Sequence, residues 1–286
     1  MGSTARPGAP PIEDEDADAA SFAVPRAVRY RAGTMASWGQ RFAARWREEG
    51  ARAALRDAGL AAALEASALL LAPFRRSAHG QDYYHIVEDF TARVNAQTSP
   101  RVLELGSRNV TGVRHRSHLA SHVDLVGLDV HPGQDVDVVG DAHDLSPRFE
   151  AESFDAVFAI SVFEHLAMPW KVVLEVNRVL KPDGLLLVAT HPAWPPHELP
   201  WDFWRFSPAG LRVLLHPQTG FEVLRCGEGE PGRMFALTNT PPVRGLHRNR
   251  TSLAVAALAR KCGPPADGLR WDTRLEEILD TSYRSA

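Results

Sequence analysis

The sequence predicts a doubly wound α/β domain, with a mostly parallel sheet covered on both faces, a helical cap before it and a helical tail after it. Two observations carry this expectation. From Pro100 onward short apolar runs alternate with helical stretches, the rhythm of strand–crossover–strand units. The runs are nearly continuous in apolar residues, as strands buried on both faces are. A chain of 286 residues can bury about three quarters of its unfolded surface, so it needs no disulfide or metal staple.

Each element follows in order. Residues 1–25 hold four prolines, including Pro10-Pro11, and the acidic run Glu13-Asp14-Glu15-Asp16, a composition too poor in apolar side chains to offset its ordering entropy. Disorder is expected there. Residues 26–98 are expected to form the helical cap: the stretch from Met35 to Ala96 is Ala-rich without strand-like alternation, and Pro73 and Gly80 divide it into about three helices. The sheet domain is placed at 99–240, with strands at Arg101–Leu105, Val123–Asp129, Val136–Val139, Phe154–Ile160, Leu185–Thr190 and Phe221–Leu224. Val172–Leu180 reads as a crossover helix stopped at Lys181-Pro182-Asp183-Gly184. Phe221–Arg225 and Arg233–Leu237, joined by a Gly-Glu-Gly-Glu-Pro-Gly turn, read as a closing hairpin. The tail, 241–286, is expected to be helical at Ser252–Lys261 and Leu275–Asp280.

Composition excludes several partners. A net charge of -3 with an isoelectric point near 6.5 argues against gripping nucleic acid by bulk charge. The one basic cluster, Arg244, His247, Arg248 and Arg250, lacks interleaved aromatics and reads as a solvated surface. Two cysteines, Cys226 and Cys262, cannot make a disulfide framework or a four-thiolate zinc site. The start of the chain has no apolar signal-peptide core, and the longest apolar run, Gly59–Phe74, is interrupted by Glu65 and too short to span a bilayer. A cytoplasmic protein without membrane or nucleic-acid partners is the expectation.

Ligands in open α/β sheets bind at the carboxyl ends of the strands. The first strand runs into Glu104-Leu105-Gly106-Ser107-Arg108-Asn109, where Gly106 allows close backbone approach. The glycine spacing is neither that of a dinucleotide cradle nor that of a phosphate loop. Glu104 would repel phosphate and favour a cationic ligand. Asp129, ending the second strand, could accept both hydroxyls of a ribose, and Asp141 after the third could accept from an adenine amino group. Three acids at three consecutive strand ends fit an adenosine that carries positive charge and no phosphate.

The chain here resembles the class I S-adenosylmethionine-dependent methyltransferases, over about Tyr83 to Leu237. The likeness rests on Val102-Leu103-Glu104-Leu105-Gly106, Gly127-Leu128-Asp129, Gly140-Asp141-Ala142-His143, Ser153-Phe154-Asp155-Ala156-Val157, Glu164-His165-Leu166, and Arg178-Val179-Leu180-Lys181-Pro182-Asp183-Gly184-Leu185-Leu186-Leu187. It departs in the loop, where the family has Gly-x-Gly-x-Gly and this chain has Ser107-Arg108-Asn109 after Gly106. The resemblance implies a Rossmann-like fold and S-adenosylmethionine as cofactor. It implies Glu104 and Gly106 near the methionine part, Ser107 among the cofactor-binding residues, Asp129 at ribose, Asp141 and Ala142 flanking adenine, and Ser161 in the same pocket. Tyr83 or Tyr84 would close over the cofactor.

Methyl transfer to a hydroxyl gains from a base, most often histidine. His165 and His191, which follow the fourth and fifth strands, are the candidates. The loop His191–Phe206 carries Trp194, Trp201, Phe203 and Trp204 with four prolines, a stiff aromatic wall suited to an acceptor pocket, and Asp202 and Arg205 could grip a hydroxylated acceptor or pair with each other. The expected function is methylation of a small molecule, on oxygen, in natural-product or glycan tailoring. Methylation of RNA or protein, and a noncatalytic cofactor-binding scaffold, stand as alternatives. Metal-dependent members of the superfamily carry Glu-x-x-Glu-His after the fourth strand. Ser161 replaces the first carboxylate here, so no metal is expected, although Glu164 and His165 remain and His191 could add a ligand.

Overall fold

Seven strands make a single sheet in the computed structural model, which describes residues 43–44, 46–72, 81–109, 112 and 115–269. Five of them, β1 (Arg101–Leu105), β2 (Asp124–Asp129), β3 (Val138–Val139), β4 (Phe154–Ile160) and β5 (Leu180–Thr190), are parallel and lie in the order β3-β2-β1-β4-β5. β7 (Thr251–Lys261) pairs antiparallel with β5, and β6 (Phe221–Gly232) pairs antiparallel with β7 at the edge. The chain winds outward from β1 to β3, then returns to β4 on the other side of β1. This is the switch point at which open α/β sheets bind ligands.

Strand periodicity divides the interior into two cores. Leu103 and Leu105, Val157 and Ala159, Leu186 and Val188, and Val255 and Ala257 belong to one. Val102, Ala156 and Phe158, Leu185 and Leu187, and Ala256 and Leu258 belong to the other. Side chains two apart face the same way, so each central strand is apolar on both faces. Helices close both layers. α2 (Asp82–Asn95) sets Ile86, Phe90 and Val94 on one stripe, four residues apart, and Phe90 meets Phe158 with 5.9 Å between ring centroids. α3 (Pro169–Val179) sets Val172, Val173, Val176 and Val179 into the opposite core, with Pro169 in the first turn, where no N–H is needed. α4 (Pro208–Leu214) is capped by Ser207, whose hydroxyl accepts from the Gly210 amide at 3.1 Å.

The expected helical cap divides. α1 (Ala51–Leu71) falls in a different unit of the chain from α2, which falls in the unit that holds the sheet. α2 lines the sheet's own core, which is why the boundary falls before it and not at 98. Among the described residues no helix is long and apolar enough to cross a membrane. The expected disorder of 1–25 and the helix at Leu275–Asp280 fall outside the described residues.

Three readings need correction. Ser252–Lys261 is a strand, not a helix of the tail: Ala254 through Ala259 are buried between β5 and β6. A continuous apolar run buried on both faces shows no alternation, so pattern alone cannot separate it from a buried helix. β6 is one strand through Gly232 and pairs with β7, so Arg233–Leu237 forms no hairpin with it. β5 begins at Leu180, and the Lys181–Gly184 turn is absorbed as a register shift against β4, with Asp183 at a φ of 62°.

Candidate active site

The carboxyl ends of the five parallel strands open into one cavity of about 820 Å³, within the range of small-molecule sites. Gly106 after β1, Asp129 ending β2, Asp141 after β3, Ser161 after β4 and His191 after β5 all line it, and Tyr83 joins from α2.

On the β1–β3 side the loop is fixed by sterics and charge. Gly106 has a φ of 70°, and a Cβ there would lie 2.3 Å from Val162 Cγ2, so only glycine fits the turn. Glu104 is 6% exposed, and its Oε2 accepts from Arg116 Nε at 3.2 Å and Nη2 at 3.0 Å. Burial raises the Glu104 pKa, and the Arg116 guanidinium partly opposes that rise. Arg116 also donates to the Asp135 carbonyl at 2.7 Å, which anchors it between β1 and the loop after β2. Asp129 accepts from the His131 amide at 2.9 Å and the Arg108 amide at 3.3 Å, and Arg108 Nε stands 3.5 Å from its Oδ1. A carboxylate has about four acceptor positions, so room remains for a pair of hydroxyls. Asp141 Oδ1 accepts from the His143 amide at 2.9 Å and from His143 Nδ1 at 2.6 Å. His143 Nε2 accepts from the Met168 amide, which assigns the ring proton to Nδ1. Burial would raise the Asp141 pKa, but the His143 hydrogen bonds outweigh it and hold the group below its ordinary value. Ala142 is buried beside it.

The β4–β5 side is histidine-rich. His191 Nδ1 donates to the Leu253 carbonyl of β7 at 3.0 Å, so Nε2 carries the lone pair in the neutral ring. Ser161 Oγ lies 3.2 Å from that Nε2. Trp194 stacks on the His191 ring with centroids 4.5 Å apart. Glu164 and His165 sit in a 3-10 turn, Phe163–His165; Glu164 is fully buried, its Oε2 accepting from Thr190 Oγ1 at 2.7 Å. Trp201, 64% exposed, stands at the cavity's rim.

Most of the expected residues meet in this cavity: Glu104, Gly106, Ser107, Asp129, Asp141, Ala142, Ser161, Tyr83, His165, His191, Trp194 and Trp201. Five others do not line it. Tyr84 turns outward and its hydroxyl donates to Glu230 of β6. Asp202 and Arg205, expected at the acceptor, form a two-pronged ion pair at 2.6 and 2.8 Å that holds the Asp202 carboxyl down at about 2. Arg205 also donates to the carbonyls of Trp194, Pro195 and Trp204, so its charge shapes the loop. Trp204 donates its indole N–H to the Leu166 carbonyl at 2.8 Å and meets Trp170 edge-on, and Phe203 packs edge-on against Trp201. Sequence reasoning missed Arg108, Arg116, His143 and His197, all of which line the cavity. His143 was legible, next to the Asp141-Ala142 signal, whereas Arg116 is brought to Glu104 only by the loop between β1 and β2.

The donor set fits an adenosine bearing positive charge. Asp129 and Asp141 offer acceptors at two strand ends, no glycine cradle addresses a pyrophosphate, and the buried Ser107 Oγ has no hydrogen-bond partner of its own. Residues 97–188 match the family described as a methyltransferase domain. No curated protein matches the chain by sequence. Similar solved structures include the YcgJ protein from Bacillus subtilis (16% identity, TM-score 0.45, covering 63% of this chain and 99% of that one). A SAM-dependent methyltransferase from Archaeoglobus fulgidus is also similar (15%, 0.45, 68% and 98%), as is the [4+2]-cyclase SpnF (18%, 0.45, 67% and 86%). The match over residues 97–188 supports an S-adenosylmethionine-dependent methyltransferase, with S-adenosylmethionine as the cofactor.

Proposed function

We propose that this enzyme methylates a hydroxyl group of a small molecule, as a cytoplasmic enzyme of natural-product or glycan tailoring. One observation carries the reading. His191 points Nε2 into the cavity beside Ser161, with Nδ1 engaged by the Leu253 carbonyl and the ring plane set by Trp194, so that the neutral ring offers its lone pair there. When bound, S-adenosylmethionine supplies a methyl group on a sulfonium, reactive toward an in-line nucleophile.

The residues divide the remaining work. Asp129 and Asp141 hold the ribose hydroxyls and the adenine amino group, while Glu104, with Arg116 sharing its charge, and Gly106 and Ser107 border the methionine part. His191 Nε2 takes the proton from the acceptor hydroxyl as its oxygen closes on the methyl carbon. His165, on the adjacent turn, is the second candidate for that proton. Trp194 and Trp201 flank the acceptor and exclude water, which favours displacement over hydrolysis. The small negative net charge supports a small acceptor over a polyanion.

The test is incubation with methyl-labelled S-adenosylmethionine and a metabolite extract, followed by mass spectrometry. Label in a small-molecule methyl ether is the expected result. Label entering RNA or protein, or small products methylated only on nitrogen or carbon, would overturn the reading.

A further inference from the structure

On the β4–β5 side of the cavity three histidine rings gather about one buried carboxylate, Glu164. Glu164 is fully buried, and while its Oε2 takes the Thr190 hydroxyl, its Oε1 has no hydrogen-bond partner. A buried carboxylate oxygen left bare is costly, because nothing replaces the water it gave up. Around it stand three imidazoles, each donating Nδ1–H to a backbone carbonyl: His165 to Trp201 at 2.5 Å, His191 to Leu253 at 3.0 Å and His197 to Pro195 at 3.2 Å. Each neutral ring therefore turns a lone pair, on Nε2, away from its carbonyl. The His165 and His197 rings meet edge-on at 4.7 Å, and His191 lies 6.3 Å from His197, centroid to centroid.

We infer that Glu164, His165 and His197 form a binding site for one divalent transition-metal ion. One ligand atom from each lies within 4.8 Å of the other two. Ligands around a tetrahedral ion with bonds of about 2.0–2.2 Å sit roughly 3.3–3.6 Å from one another, so the set has about an ångström to close. Two of the three side chains can supply that movement, since His165 and His197 are only partly buried while Glu164 is fixed. A histidine ligand ordinarily gives its other N–H to a carbonyl or carboxylate, the arrangement all three rings already have. Three protein ligands leave a coordination position open, as in reactive sites and not structural ones. Two imidazoles with one carboxylate select zinc, cobalt or iron over magnesium, which wants an oxygen octahedron.

The expectation that no metal is needed rested on Ser161 in place of a carboxylate. The third ligand comes instead from His197, on the loop after β5, at a spacing that no local pattern reveals. An ion held there takes up the one lone pair of the neutral His165 ring, which leaves His191 as the base, whatever the acceptor. His191, whose Nε2 is 3.5 Å from Glu164 Oε1 and 3.2 Å from Ser161 Oγ, remains outside the ligand set.

The full chain, stripped by a chelator and desalted, is titrated with Co²⁺ by visible absorption and with Zn²⁺ by calorimetry. Metal per chain is then counted by mass spectrometry of the desalted protein. One ion per chain is expected, with the ligand-field bands of a nitrogen–oxygen site and no displacement by excess Mg²⁺. Glu164→Gln, His165→Ala and His197→Ala should each weaken binding by at least about a hundredfold, while His85→Ala leaves it unchanged. S-adenosylhomocysteine affinity, retained in the same variants, separates loss of the ion from loss of the fold or of the cofactor pocket. Glu164→Gln keeps the shape and the Thr190 bond, so it decides the matter if either histidine variant fails to fold. Absence of saturable binding in the parent chain, displacement by magnesium, or undiminished affinity in Glu164→Gln would overturn the assignment.

Discussion

Asp129 illustrates how a single side chain can hold a loop and still face a cavity. Its carboxylate holds the amides of Arg108 and His131, yet keeps acceptor capacity toward the cavity. If it receives the ribose hydroxyls, Asp129→Ala removes charge-assisted hydrogen bonds worth about 1.5–3 kcal/mol, a loss of roughly ten- to a hundredfold in S-adenosylhomocysteine affinity. Calorimetry measures it, and unchanged affinity would take Asp129 out of the site. Glu104 makes a different case. It was readable as an acid beside the loop, but the sequence gives no sign that Arg116 lies against it. Arg116→Met should destabilise the fold by about 3–5 kcal/mol, because it strands a buried carboxylate, and denaturant unfolding near neutral pH is the measurement. A change within experimental error would mean that water reaches Glu104. Side chains at strand ends were legible because a strand's register fixes where it stops. Arg108 and Arg116 were not, since irregular loops place them and no periodicity reports a loop's path.

Elements differ in legibility for a similar reason. β1, β4 and α3 were visible in outline because apolar runs of strand length, or a valine stripe at helical spacing, had clear stops. β7 reads as a helix in the sequence because Ala254–Ala259 has no polar face to show its period; only its place between β5 and β6 decides. The error mattered for the site, since β7 supplies the Leu253 carbonyl that fixes the tautomer of His191. Another link between elements is testable through pH. Tyr84 of α2 donates to Glu230 of β6, and that hydrogen bond first, then burial, pushes its phenol up to about 12 from an ordinary 10. The neutral phenol makes the bond, so its contribution is whole below about pH 10 and is lost as pH rises through 12. The difference in melting temperature between the parent and Tyr84→Phe should be flat below pH 10 and shrink above it. A difference that grows toward alkaline pH would contradict the tether.

For the molecule as a whole, sheet topology gathers the chemistry. Five parallel strands deliver their carboxyl ends to one cavity, acids from β1–β3 on one side and histidines after β4 and β5 on the other. The fold class and the cofactor were legible because both depend on strand ends. The acceptor side was only half legible: the loop's aromatic content was plain, yet Asp202 and Arg205 close on each other and hold the loop. The proposed function assigns the cofactor to one side of the cavity and acceptor activation to the other. It is tested most directly by His191→Ala, assayed for single-turnover methyl transfer and for S-adenosylhomocysteine affinity in the same preparation. Transfer slowed by about 10²–10⁴-fold with affinity unchanged is the expected result. Transfer at the parent rate, or affinity falling in step with it, would contradict it.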